Sequence, residues 1–84
     1  EANMINKLTL ISLIAESLEV DEADIDENAS NETIEEWDSL GHLSILSALD
    51  DLTDGKASEL NGLADSLSLN DLIKTLSAAG LINS

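Results

Sequence analysis

Aliphatic side chains recur every three or four positions in three stretches of this 84-residue chain, and this periodicity constrains the fold more than any other feature. Such spacing places the apolar side chains along one face of an amphipathic helix. It predicts helices over residues 4–18, from about residue 39 to 51 or 52, and over residues 69–79. The predicted apolar faces are Met4, Leu8, Ile11, Ala15 and Leu18 (widened by Ile5, Leu10, Leu13 and Ile14), Leu40, Leu43 and Leu46 with Ile45 and Leu49, and Leu69, Leu72, Ile73, Leu76 and Ala79.

Residues typical of helix ends flank these stretches. Asp38 or Ser39 is a suitable N-cap for the second helix, and the Thr-Asp-Gly sequence at residues 53–55 is typical of its end. Ser68, followed three positions later by Asp71, resembles a capping box at the start of the last helix. The helix boundaries are therefore predicted by polar residues as well as by the apolar spacing.

The remaining segments complete the predicted fold class. Gly80 is predicted to end the last helix, after which Leu81 and Ile82 are expected to fold back on the core. One short helix is predicted within residues 56–66. The chain has no Pro, and Leu and Ala favour helix. We therefore predict an all-α fold, a small four-helix bundle with three main helices, one short helix and a long first loop over residues 19–38.

The first loop is acidic and unusually long for so small a domain. Its isolated apolar residues predict that it is held against the core; they are Val20, Ile25, Ala29, Ile34 and Trp37. Part of it resembles a calcium-binding loop, with Asp24, Asp26, Asn28 and Glu35 at the first, third, fifth and twelfth positions of an EF-hand pattern. The sixth position of that pattern requires a sharp turn and is normally Gly, but here it is Ala29. We therefore predict no dedicated metal site.

The charge balance makes some classes of function unfavourable. Eighteen acidic and three basic residues give a net charge of −15, which disfavours binding to nucleic acid or to an anionic membrane surface. The sequence has no Cys and no apolar run long enough to span a membrane, and we expect no signal peptide. We expect one monomeric, cytoplasmic domain over residues 4–82. Residues 1–3 precede Met4 and are interpreted as a remnant of protein production.

Ser39 and His42 invite comparison with a hydrolase, because residues three apart share a helix face. The nucleophile-elbow signature is incomplete, because Trp37 occupies its first glycine position, although Gly41 matches the second. We therefore predict that the chain is not an enzyme and that His42 is exposed on the helix.

The most informative motif is Asp38-Ser39-Leu40, a serine at the junction between the long loop and the second helix. In a small, acidic, helical chain, this motif resembles that of acyl carrier proteins of the phosphopantetheine-attachment family. The resemblance extends from Met4 to Ile82. It implies that 4′-phosphopantetheine from coenzyme A is attached to Ser39 by a phosphopantetheinyl transferase, and that Asp38 and Leu40 help the transferase recognise the site. The arm would then carry acyl groups as thioesters for fatty-acid, polyketide or other specialised biosynthesis.

The same resemblance implies partners with basic patches, which load and transfer acyl groups. The acids expected to meet these patches are Glu35, Glu36, Asp38, Asp50 and Asp51. Many fatty-acid carriers have acids at the positions of Gly41 and Ser44, so weaker contact with fatty-acid synthase enzymes is expected. The alternative is an unmodified acidic helical module that binds a partner or divalent cations.

Overall fold

The computed structural model describes residues 5–83. Over these residues the chain forms three α-helices, α1 (Lys7–Leu18), α2 (Ser39–Leu52) and α3 (Leu69–Ala78). Its regular β-structure consists of two paired segments of two residues, β1 (Ile5–Asn6) and β2 (Ile82–Asn83). The all-α class is confirmed. None of the helices in these residues is both long and apolar enough to cross a membrane.

Helix α1 begins later than its apolar spacing predicted. Asn6 is the N-cap, and its side-chain oxygen accepts a hydrogen bond from the Thr9 amide at 2.7 Å. Ile5 is instead in β1, paired in parallel with Ile82. The start predicted at Met4 lies outside the described residues. A residue with helical spacing therefore pairs with the other end of the chain, because a tertiary contact overrides local periodicity.

The end of α3 agrees with the prediction. Gly80 has a φ of 74°, and its amide bonds to the Ser77 carbonyl at 3.0 Å. The amide of Leu81 bonds to the Leu76 carbonyl at 2.9 Å, which completes a Schellman motif. Leu81 and Ile82 are buried, so the chain does fold back on the core after Gly80.

The long first loop is held against the core, as its apolar residues predicted. Ile25, Ala29, Ile34 and Trp37 are buried in it, and Val20 is partly buried. Backbone bonds also fix the loop to the segment before α3. The Asn31 amide donates to the Leu67 carbonyl and the Leu69 amide donates to the Ala29 carbonyl, both at 2.9 Å. The last residues of the loop, from Ile34 to Asp38, are thereby positioned before α2.

The prediction of a short helix within residues 56–66 is wrong. This segment forms two separate 3-10 turns, Ala57–Glu59 and Leu63–Asp65. Two serine hydroxyls bond to backbone carbonyls here, Ser58 to Gly55 at 2.8 Å and Ser66 to Gly62 at 2.7 Å. Such side-chain bonds compete with the helical ladder. The four-helix arrangement is therefore reduced, in the described residues, to three α-helices and this turn segment.

The buried faces of α1 and α2 also differ in part from the predicted ones. In α2 the buried residues are His42, Ile45 and Leu49, whereas Leu40 and Leu43 are 75% and 60% exposed. In α1, Leu8 is 76% exposed, although its spacing predicts that it lies on the buried face. Both helices have apolar residues on more than one face, so spacing alone does not identify the face that is buried. On α2, the exposed leucines lie next to Ser39.

Candidate functional site

The start of α2 is fixed by Asp38. Its Oδ1 accepts a hydrogen bond from the Gly41 amide at 2.8 Å, and its carbonyl accepts one from the His42 amide at 2.8 Å. This confirms Asp38 as the N-cap that the sequence predicted as one of two choices. Ser39 is consequently the first residue of the helix.

Ser39 and Leu40 are exposed at this helix start. Within the described residues, the backbone amides of Ser39 and Leu40 have no hydrogen-bond acceptor. Asp38 accepts instead from the next two amides of the helix, those of Gly41 and His42. Free amides and the positive end of the helix dipole favour an anionic group here. A phosphodiester on the Ser39 hydroxyl is compatible with this environment.

His42 is buried, which contradicts the prediction that it is exposed. The Trp37 indole Nε1 donates to His42 Nδ1 at 3.0 Å, and His42 Nε2 lies 2.9 Å from the Leu63 carbonyl oxygen. Because the indole N–H can only donate, Nδ1 accepts, and Nε2 carries the proton and donates to the carbonyl. Both ring nitrogens are therefore occupied, so His42 cannot serve Ser39 as a general base.

A cleft of about 630 Å³ opens beside Ser39. Its walls come from the end of the first loop, one face of α2 and the segment before α3. The lining residues are Asn31, Glu35, Trp37, Asp38, Ser39, His42, Leu43, Leu46, Ala64 and Leu67. This cleft was not predictable from the sequence, because it depends on how residues 63–67 pack against α2.

A second cleft of about 390 Å³ continues from the first along α2. The two clefts share Leu43, Leu46 and Ala64, so we describe them together as the α2 groove. On an α-helix, Ser39, Leu43, Leu46 and Asp50 fall on one face, and Asp50 lies about 16 Å from Ser39 along the axis. The α2 groove therefore begins at the serine and ends at a carboxylate.

The predicted partner-binding acids lie in three places, of which the first holds a group of three. Glu35, Glu36 and Asp38 are exposed and immediately precede Ser39. Asp50 is half-buried in the α2 groove. Asp51 is exposed and lines a different cleft, between α1 and α2. Only the first group is brought together next to Ser39.

Gly41 allows the first turn of α2 to pack closely against the loop and α1. A Cβ at this position would overlap the carbonyl oxygen of Glu36 and would lie 2.7 Å from Cδ2 of Leu18. Real Cβ atoms do not approach a backbone atom this closely. The absence of an acid at position 41 thus has a packing reason.

The structure of the acidic first loop does not support its interpretation as a calcium-binding loop. The Asp26 side chain accepts a bond from the Asn28 amide at 2.9 Å, and Ala29 is buried. In the described part of the chain, no group of three or more His, Asp or Glu residues could hold a metal ion. The acids of the loop are exposed.

Comparisons of the chain with protein-family models, with curated proteins and with solved structures found no match. The assignment of a function therefore depends on the residues themselves.

Proposed function

We propose that this chain is an acyl carrier whose 4′-phosphopantetheine arm is attached to Ser39. The observation that carries the proposal is the position of Ser39: it is exposed at the first position of α2, capped by Asp38, and lies at the mouth of the α2 groove. The Asp38-Ser39-Leu40 motif supports it. A role as the helix N-cap alone would explain Asp38. It would not explain the exposed Leu40 or the cleft beside Ser39.

Attachment is a phosphoryl transfer that a partner enzyme catalyses. The Ser39 oxygen forms a bond to the phosphorus that bears the pantetheine group of coenzyme A, and the bond to the adenosine bisphosphate breaks. The serine proton passes to a base of the transferase, since His42 is occupied by Trp37 and Leu63. The carrier contributes an accessible hydroxyl and two free amides near the new phosphate.

The arm supplies the reactive thiol that the chain itself lacks, because its sequence contains no Cys. Acyl groups would be carried on that thiol as thioesters. Glu35, Glu36 and Asp38 surround the attachment point with negative charge. A partner with a basic patch that binds these acids would also receive the arm near its own active site.

The test is intact-mass measurement after incubation with coenzyme A and a promiscuous phosphopantetheinyl transferase. One phosphopantetheine is expected on the wild-type chain and none on Ser39→Ala. Ser44→Ala is the matched control, because Ser44 is another exposed serine of α2, and it should be modified like the wild type. No mass increase in the wild type would instead favour an unmodified acidic module.

A further inference from the structure

Asp50 is an unusual residue for the far end of an apolar groove. It lines the groove together with Leu43, Leu46, Leu60 and Leu63. Its Oδ1 is enclosed and has no hydrogen-bond partner among the described residues. Enclosed polar atoms in folded proteins are nearly always paired, so this oxygen needs an explanation.

The local backbone does not supply the missing donor. The Gly55 amide bonds to the Asp50 carbonyl at 2.8 Å, and the Ala57 amide bonds to the Thr53 hydroxyl at 3.0 Å. Both of these amides are thus already used. Asp50 as a whole is only half-buried, and it lines the groove. The terminal torsion of Asp is soft, and either oxygen can turn towards a donor.

From this arrangement we infer that the α2 groove accommodates an acyl chain with a hydrogen-bond donor, an amine or a hydroxyl, that reaches Asp50. This inference rests on the proposed function, because the chain would enter from the arm on Ser39. Leu43 and Leu46 contact the apolar part, and Asp50 accepts from the donor. An amine is additionally favoured by the charge of −15 on the protein.

The test compares carriers loaded with different acyl groups. Coenzyme A thioesters of hexanoyl and octanoyl chains, each plain, ω-hydroxylated or ω-aminated, are transferred to Ser39, and loading is verified by mass. For at least one length, a donor-bearing chain should raise the Tm by about 4 °C or more above its plain counterpart, because it satisfies the enclosed carboxylate. Equal Tm values for plain and donor-bearing chains at both lengths would overturn the inference.

Asp50→Leu and Asp51→Leu form a matched pair of variants. Asp50→Leu should abolish or reverse the higher Tm that donor-bearing chains give over plain chains. Asp51→Leu should retain this difference, because Asp51 lines the other cleft. The unmodified Asp50→Leu protein should be at least as stable as the wild type. A lower Tm would show that the carboxylate is a structural group and would contradict the inference.

Failure of loading would be a failure of the proposed function, and the groove can then be tested alone. Hexylamine and hexanol are titrated into the unmodified chain, and methyl resonances of Leu43, Leu46 and Leu60 are followed by NMR. Shifts in the wild type that weaken in Asp50→Leu support the role of the carboxylate. The absence of any shift, or unchanged shifts in the variant, would overturn it.

Discussion

The indole of Trp37 and the imidazole of His42 form a buried hydrogen-bonded pair, with Nε1 and Nδ1 separated by 3.0 Å and ring planes inclined at 21°. The pair joins three parts of the molecule, since Trp37 lies near the end of the first loop, His42 lies on α2 and its Nε2 bonds to Leu63 of the turn segment. It lies directly behind the helix start that presents Ser39. The position of the candidate attachment site is therefore coupled to this pair.

His42→Leu should lower the free energy of unfolding by about 2–4 kcal/mol, because it leaves the Trp37 donor and the Leu63 carbonyl without partners. Urea unfolding followed by the fluorescence of Trp37, the only aromatic residue, measures the change. Ser44→Ala is the control and should stay within about 0.5 kcal/mol of the wild type. Equal stability of His42→Leu and the wild type would contradict the role of the pair.

Gly41→Ala should lower the free energy of unfolding by about 1–3 kcal/mol, because the new Cβ overlaps the Glu36 carbonyl. Helix propensity alone predicts the opposite sign, a gain of about 1 kcal/mol. In Gly62→Ala the added carbon would meet Thr75 Cγ2 at an ordinary 3.5 Å, so this control should be nearly neutral. Thermal unfolding of the two variants distinguishes packing from propensity, and a stabilised Gly41→Ala would refute the packing argument.

Glu19→Gly should raise the free energy of unfolding by about 1 kcal/mol. Glu19 ends α1 with a φ of 60°, a conformation that Gly adopts without strain. Its charge also lies at the negative end of the helix dipole. The expected rise in Tm is roughly 4–8 °C. Glu19→Gln removes the charge but keeps a side chain at this strained position. If it stabilises the protein as much as Glu19→Gly does, the backbone strain makes no contribution.

Added NaCl or MgCl₂ should raise the Tm near neutral pH. Eighteen acidic residues against three basic ones repel one another in the folded state, and counter-ions screen that repulsion. Thermal unfolding is measured as each salt is increased. A flat or falling Tm in both titrations would mean that the acids are compensated locally.

If Ser39 carries the arm that we propose, Ser44→Glu should improve acyl transfer to a fatty-acid ketosynthase. Ser44 is exposed on α2, and an acid there would supply a charge typical of fatty-acid carriers. One exposed pair contributes about 0.2–1 kcal/mol, which corresponds to roughly a 1.4- to 5-fold change in kcat/KM. The gain should shrink at high salt. Gly41→Asp is unsuitable for this purpose, because its Cβ meets the Glu36 carbonyl.

Features that depend on neighbouring residues were predictable from the sequence. The Asp38 cap, the Ser68 cap and the turn at Gly80 each involve residues within five positions. The packing of the first loop against the core was also predictable, because burial of the isolated apolar residues in this acidic segment is favourable.

Features that depend on distant partners were not predictable. The burial of His42 requires Leu63, twenty-one positions away, as an acceptor. The groove requires the turn segment to lie along α2. The close contact at Gly41 involves Leu18 of another helix. Periodicity describes one helix at a time, so it cannot identify these contacts.

The parallel pairing of Ile5 with Ile82 joins residues near opposite ends of the described chain. During synthesis on a ribosome, the segment before α1 therefore has no partner until the residues after α3 have left the exit tunnel. Closing so long a loop carries the largest entropic cost of any contact in the domain. We expect the helices to assemble first and this pairing to form last, so that a nascent chain becomes a closed domain only after residues 82 and 83 have left the exit tunnel.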